Sequence, residues 1–270
     1  MVRAKLRHVA ICTEDPAKTA AWYQEVFGLE EVGRTPTGGV YLSDGDINFA
    51  VLKVRPTGDS SITTPGVSHC GFYVEDPQAI YAKLDGLGAT RLPTVPLGNQ
   101  YFEVKYLDPD NQVFDVGEHG WVGASKLEPA SGPPRPAKLR HVAISTEDTA
   151  KAAAWYKDMF GLTEAGLSPA GVYLTDGETN FAVLRIKSKA DPSRAEIGFN
   201  HFGFMVADPE ATRAKLAALG TQRLPDIAIG NQYFEEKYLG PDGVTVDLGV
   251  HGWVGALGVG AAPAEAAAAH

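Results

Sequence analysis

From Leu6 to Cys12 the side chains alternate in the manner of a strand with one buried face. Asp15-Pro16 follows, a short acceptor at N-cap and proline at the first helical position, and predicts a helix to about Phe27 that stops at Gly28. Three short apolar runs near 29–34, 39–43 and 47–54 predict strands, with Asp44-Gly45 as the hairpin signal between the last two. The pattern restarts at Val67. Ser68 to Glu75 predicts a strand, Asp76-Pro77 a capped helix ending at Gly86 or Gly88, and 89–95, 100–107 and 112–117 three further strands around the turn Asp108-Pro109-Asp110-Asn111.

All of this occurs twice. Lys5 to Ile11, KLRHVAI, returns at Lys138 to Ile144. Asn48 to Leu52 returns at Asn180 to Leu184, Gly98 to Glu103 at Gly230 to Glu235, and His119 to Ala124 at His251 to Ala256. A tandem duplication explains the echo. The expected organisation is a domain over 1–125, a stiff linker over 126–137 carrying four prolines, a second domain over 138–257, and a disordered Ala- and Pro-rich tail over 258–270. Each domain holds two strand–helix–strand–strand–strand (βαβββ) units. The fold class is α+β, with mixed, mostly antiparallel sheets and flanking helices.

Composition narrows the function classes. The chain has 270 residues, 44% of them apolar, and a net charge of −9. That length suits two domains with a core each. The acidic balance argues against nucleic acid and anionic membranes as partners. No apolar run reaches the length of a membrane span, and the start lacks a long apolar core with a small-residue cleavage site. Cys12 and Cys70 face Ser145 and Phe202 in the second copy, so no structural disulfide is expected and a cytoplasmic location is the default. The expected partner is a small-molecule substrate, the expected state a monomer or homodimer.

Period two places His8 on one face with Leu6 and Ala10, His69 with Gly71 and Tyr73, and Asp115 with Val113 and Gly117. His141, His201 and Asp247 are the second copy's equivalents. Two imidazoles and a carboxylate are the donor set of the facial triad, which leaves positions open on a divalent ion, typically Fe(II). A structural role copied by duplication is the other reading of the same recurrence. Glu103 and Lys105 share a face, as do Glu235 and Lys237. They are either a general base with an oxyanion partner or a solvated cross-strand ion pair. His119 and His251 are read as an acid or base at the mouth, or as packing beside Trp121 and Trp253. Gln100 is a further loop candidate.

The tandem units, with histidine in the first strand of each and a carboxylate in the last, resemble the vicinal oxygen chelate superfamily. This superfamily includes glyoxalase I, extradiol dioxygenases and bleomycin-binding proteins. Its turn pattern places the ligand carboxylate six residues after a proline, as Pro109 precedes Asp115 and Pro241 precedes Asp247. The resemblance implies two cup-shaped sheets and metal ligands His8, His69 and Asp115 in one, His141, His201 and Asp247 in the other. Ala50 and Ala182 stand where glyoxalase I has a fourth ligand, a glutamate. Lys105 and Lys237 stand where extradiol dioxygenases carry a tyrosine, and the ligand carboxylate is Asp rather than Glu. The implied function is a metal-dependent enzyme for a substrate chelated through vicinal oxygens, with an oxygenase-like activity on Fe(II) placed first. Mn(II), Ni(II) and Zn(II) are the other metals considered. The alternatives are a glyoxalase-type lyase or isomerase using Glu103 as base, and a metal-free protein that sequesters a cationic drug.

Overall fold

The computed structural model describes residues 3–55, 63–93, 103–186, 196–225 and 235–259. The expected strand near 89–95 is described only to residue 93, where Arg91 makes a single bridge to Tyr106. Gln100 and all but two residues of the expected tail lie outside the described residues.

In the first half the strands are β1 (Ala4–Thr13), β2 (Glu30–Arg34), β3 (Val40–Ser43), β4 (Asn48–Lys53), β5 (Gly66–Val74), β6 (Glu103–Leu107) and β7 (Val113–Gly117). Helix α1 (Pro16–Phe27) follows β1, and α2 (Pro77–Gly86) follows β5. The second half repeats this with β8 (Ala137–Thr146), α3 (Thr149–Phe160), β9 (Thr163–Ser168), β10 (Gly171–Thr175), β11 (Asn180–Arg185), β12 (Gly198–Val206), α4 (Pro209–Ala218), β13 (Gln222–Arg223), β14 (Glu236–Leu239) and β15 (Thr245–Gly249).

Local chemistry sets the boundaries. The carboxylates of Asp15, Asp76, Asp148 and Asp208 each accept a backbone N–H three residues on, which satisfies an orphan donor of the first helical turn. Asp44 closes its hairpin by accepting from the amides of Asp46 and Ile47, both at 2.8 Å. Gly45 supplies the positive φ of 94° that the turn requires.

Each sheet draws its strands from one half of the sequence. The orders are β2-β3-β4-β1-β5-β7-β6 and β13-β14-β15-β12-β8-β11-β10-β9. In both, a central antiparallel pair, β1 with β5 or β8 with β12, is flanked by parallel neighbours, and the outer pairs are antiparallel. β1 and β8 are buried along nearly their whole length, so both their faces are covered.

Two compact units result, and each includes a short piece of the other half. The first is Met1–Glu25, Leu29–Ser131 and Ala154–Leu162; the second is Val26–Gly28, Gly132–Ala153 and Thr163–His270. In the first unit Phe72 stacks on Phe160, with centroids 4.1 Å apart, and Phe114 meets Trp155 edge-on at 5.3 Å. Tyr156 donates to Asp108 Oδ2 at 2.8 Å, and burial holds the Asp108 carboxyl above its ordinary range. In the second unit Phe27 stacks on Phe204 at 4.2 Å. No helix or strand occupies 126–136. The start of this stretch is pinned: buried Arg7 donates to the Lys126 carbonyl at 2.7 Å, and the Ala130 amide donates to Asp46 at 2.8 Å. Cys12 and Cys70 are both buried and are not joined in a disulfide.

Candidate metal centre

The strand register lines up one row of residues across five strands. Asn48 of β4 pairs with His8 of β1, His8 with Gly71 of β5, Gly71 with Asp115 of β7, and Asp115 with Lys105 of β6. The second sheet repeats the row as Asn180, His141, Gly203, Asp247 and Lys237. Residues directly opposite one another in a ladder point to the same face, so the register delivers a histidine, a carboxylate and an ammonium to one patch. His69, two residues before Gly71, joins from the adjacent row with Ala10 and Ala50. The pairing of Ala50 with Ala10 matches that of Asp115 with Gly71. Ala50 therefore holds the place equivalent to Asp115 and offers only a methyl group; Ala182, paired with Ala143, does the same.

His8 Nε2 lies 3.3 Å from His69 Nε2 and 3.9 Å from Asp115 Oδ2, and His69 Nε2 lies 3.3 Å from the same oxygen. In the second copy His141 Nε2 to His201 Nε2 and His201 Nε2 to Asp247 Oδ2 are both 3.2 Å. Atoms bound to one first-row divalent ion at its usual 2.0–2.2 Å stand about 3.0–3.5 Å apart; the His–His, His69–Asp115 and His201–Asp247 spacings fall in that range, and His8–Asp115, at 3.9 Å, lies outside it. Glu103 and Glu235 complete each group, with one ligand atom from every member within 4.8 Å of the others.

The outer hydrogen bonds set the imidazole tautomers. Asn48 Nδ2 donates to the Val122 carbonyl, which turns the amide oxygen toward His8 Nδ1 at 2.8 Å. An amide oxygen only accepts, so Nδ1 carries the proton. Burial lowers the His8 pKa to about 4, outweighing the Glu103 charge that raises it, and the ring is neutral with its Nε2 lone pair facing the group. Asn180 and Val254 hold His141 identically, and its pKa is also lowered to about 4. His201 Nδ1 likewise meets the Asn200 amide oxygen at 2.7 Å, while Asn200 Nδ2 donates to Ser145. Ser68 takes that position beside His69, at 2.8 Å. Buried Asp247 Oδ1 has no hydrogen-bond partner among the described residues. Facing lone pairs and an unsatisfied carboxylate oxygen suit a cation, and the residues present fit a divalent metal.

An ammonium lies at the same atoms. Lys105 Nζ is 2.8 and 2.9 Å from the two Asp115 oxygens and 3.1 Å from His69 Nε2. Lys237 Nζ is 2.6 Å from Asp247 Oδ2, 3.3 Å from His201 Nε2 and 3.2 Å from Glu235. Of the two readings of Glu103 and Lys105, the solvated ion pair does not hold. Both side chains point at the histidines and are mostly buried.

Trp121 roofs the patch, a role the sequence reading missed. Its indole stacks on His8 at 5.0 Å and 6°, and its Nε1–H donates to Glu103. Trp253 stacks on His141 at 4.9 Å and donates to Glu235 Oε1 at 2.7 Å. Two glycines make the slot. A Cβ on Gly71 would come within 2.6 Å of the indole, and one on Gly117 would also collide with it; Gly203 and Gly249 repeat the arrangement. His119 and His251 are exposed. Gly120, at φ 82°, reverses the chain after His119 and sends Trp121 back over the sheet alone. Tyr41 is a further neighbour, paired with Ala50; burial and the Glu103 charge push its pKa up to about 12.

Comparison with known proteins follows this geometry. Over 93% of its length the chain matches the 2,3-dioxygenase LapB from Pseudomonas sp. KL28, covering 93% of that chain at 16% identity and a TM-score of 0.69. The Mn(II)-bound glyoxalase from Novosphingobium aromaticivorans matches 92% of the chain and 82% of its own at 15% identity, TM-score 0.69. Homoprotocatechuate 2,3-dioxygenase from Arthrobacter globiformis matches 93% and 80% at 16% identity, TM-score 0.66. Curated protein sequences gave no match. Residues 5–116 and 138–248 each match the description of one family. With its paired βαβββ units and its two clusters of metal-ligand groups, this chain belongs to the Glyoxalase/Bleomycin resistance protein/Dioxygenase superfamily.

Proposed function

We propose that the chain is a divalent-metal-dependent enzyme acting on a small molecule with two adjacent oxygens, by oxygenase-like chemistry. One observation carries this reading: the Nε2 atoms of His141 and His201, whose Nδ1 atoms meet amide oxygens, lie 3.2 Å apart, and His201 Nε2 lies 3.2 Å from the buried Asp247 carboxylate. His8, His69 and Asp115 would hold one ion, and His141, His201 and Asp247 the other. Fe(II) is proposed first, before Mn(II), Ni(II) or Zn(II). Such an ion would polarise the substrate oxygens and, as Fe(II) on three protein ligands, would leave positions open for O₂. Ala50 and Ala182 have no donor atom and leave that side of the ligand set clear. Glu103 and Glu235 are placed to take a substrate proton, and Lys105 and Lys237 to neutralise the oxygen that loses it. Trp121 and Trp253 exclude water from one side of the site and orient the glutamate.

A second reading is a glyoxalase-type lyase or isomerase. It is favoured by the carboxylates of Glu103 and Glu235, which fall inside the donor groups and could supply the fourth ligand that Ala50 and Ala182 cannot. Among the described residues no helix is long and apolar enough to cross a membrane. The deciding experiment measures oxygen uptake by Fe(II)-loaded protein over a panel of catechols and hydroxy-ketones. Uptake matched to product supports the oxygenase. Unchanged turnover under strict anaerobiosis rejects it and promotes the lyase or isomerase. No turnover, with tight binding of a cationic drug by metal-free protein, rejects both.

A further inference from the structure

Lys105 and Lys237 contact the atoms that the metal reading assigns to the ion. Each ammonium sits on the ligand aspartate and within 3.1–3.3 Å of the Nε2 of the second histidine. Their side chains are only 12% and 9% exposed, so water does not take the place of these contacts. An ammonium has three donors and no lone pair, and cannot itself be a metal ligand while charged. A divalent ion bonded to the same Asp oxygen and Nε2 at about 2.0–2.2 Å would stand against it with like charge and little solvent between. One of the two cations has to leave.

The fold supplies a place for the ammonium to go. Glu103 is two residues before Lys105 on the same face of β6, and its carboxylate is 3.7 Å from Nζ. Glu235 is 3.2 Å from Lys237 Nζ. Both glutamates are anchored from behind by an indole N–H. A rotation about the lysine side chain moves the charge from aspartate to glutamate without passing through bulk water.

We propose that Lys105 and Lys237 are displaceable resident cations. Each pairs with the ligand aspartate in the metal-free protein, and metal binding is an exchange in which the ammonium moves from the aspartate to the neighbouring glutamate. The proposal rests on the metal reading above. It adds that the lysine opposes metal binding, and that its ammonium offsets the buried aspartate charge in the metal-free site.

The two copies allow an internal control. Zn(II) affinity is measured on the full chain by competition with a chromophoric chelator, for the wild type and for Lys105→Met. The expected result is two sites in both proteins, with one of them at least tenfold tighter in Lys105→Met and the other unchanged. Lys237→Met should tighten the other site, and the double variant both. Thermal stability gives a second readout. Lys105→Met should melt lower than wild type without Zn(II) and gain more on its addition. Unchanged or weaker affinity in Lys105→Met overturns the displaceable cation while leaving the metal reading intact. Absence of Zn(II) binding in both proteins overturns the metal reading and this proposal together. Should Lys105→Met fail to fold, Lys105→Arg keeps a cation that grips Asp115 by two bonds. It should weaken one site about tenfold, and equal affinity there overturns the proposal.

Discussion

Asn48 Oδ1 accepts the Nδ1 proton of His8 at 2.8 Å, and Asn48 Nδ2 is itself tied to the Val122 carbonyl at 2.8 Å. This bond decides which lone pair of His8 faces Asp115. Asn48→Leu should therefore act on the first site without touching a ligand. Outer partners of this kind are worth about 10–100-fold in metal affinity, and a buried imidazole N–H left unsatisfied costs about 1–3 kcal/mol. A titration with Zn(II) should find one weakened and one unchanged site, and denaturant unfolding a stability loss in that range. Equal weakening of both sites would contradict the assignment.

Metal-free protein should lose stability in mild acid. His8 and His141 are lowered from 6.5 to about 4, chiefly by burial. As pH falls through 6.5 the unfolded chain takes up protons on these rings, while the folded chain resists until about 4. The unfolded state is thus favoured across that window, and the full stability is present above about 6.5. Each histidine contributes on the order of 3 kcal/mol to the loss. Urea unfolding at a series of pH values measures it. A stability that stays flat between pH 6.5 and 4 would show that the rings are not held neutral.

Gly117→Ala should displace the Trp121 indole, because the added methyl falls inside its ring. Overpacking of this kind costs about 1–3 kcal/mol, and the intrinsic fluorescence of the protein should change with it. Trp121→Ala removes the obstacle and leaves a cavity. The pair should be non-additive, the double variant being less destabilised than the sum of the singles. Additive losses would mean that the two residues do not meet.

A chain ending at Ser131 should fold poorly. It retains all the strands of the first sheet but lacks Ala154–Leu162, which belongs to the same compact unit. Phe72 and Phe114 would lose Phe160 and Trp155, and Asp108 would lose the Tyr156 hydroxyl. Circular dichroism and size-exclusion chromatography should report a loose or aggregating species. A monomer that melts like the full chain would show that this segment is dispensable.

The α+β class and the four repeated units were readable because strand alternation, Asp-Pro helix starts and glycine stops are local signals. Period two puts Glu103 and Lys105 on one side of their strand, but the register shift between Leu6 and His8 interrupts that period on β1 and parts Leu6 from the row of His8. What could not be read was distance across the sheet. Asn48 looks like an ordinary strand residue until the parallel pairing of β4 with β1 sets it opposite His8. Trp121 and His119 are neighbours in sequence, and only the left-handed turn at Gly120 separates a buried indole from an exposed imidazole. Asn180 and Trp253 recur in the second copy, but a duplication repeats functional and idle residues alike. The exchange of Val26–Gly28 and Ala154–Leu162 between units left no local mark, because the helices that carry them are continuous in sequence.

The position beside the second histidine differs between the copies, Ser68 in one and Asn200 in the other. A hydroxyl can serve His69 as donor or acceptor, whereas the Asn200 oxygen commits His201 to one proton arrangement. Every ligand is duplicated, so either half can accumulate change while the other preserves the ancestral chemistry. The molecule carries its own reference copy, against which the proton arrangement of the serine-bearing half can be measured.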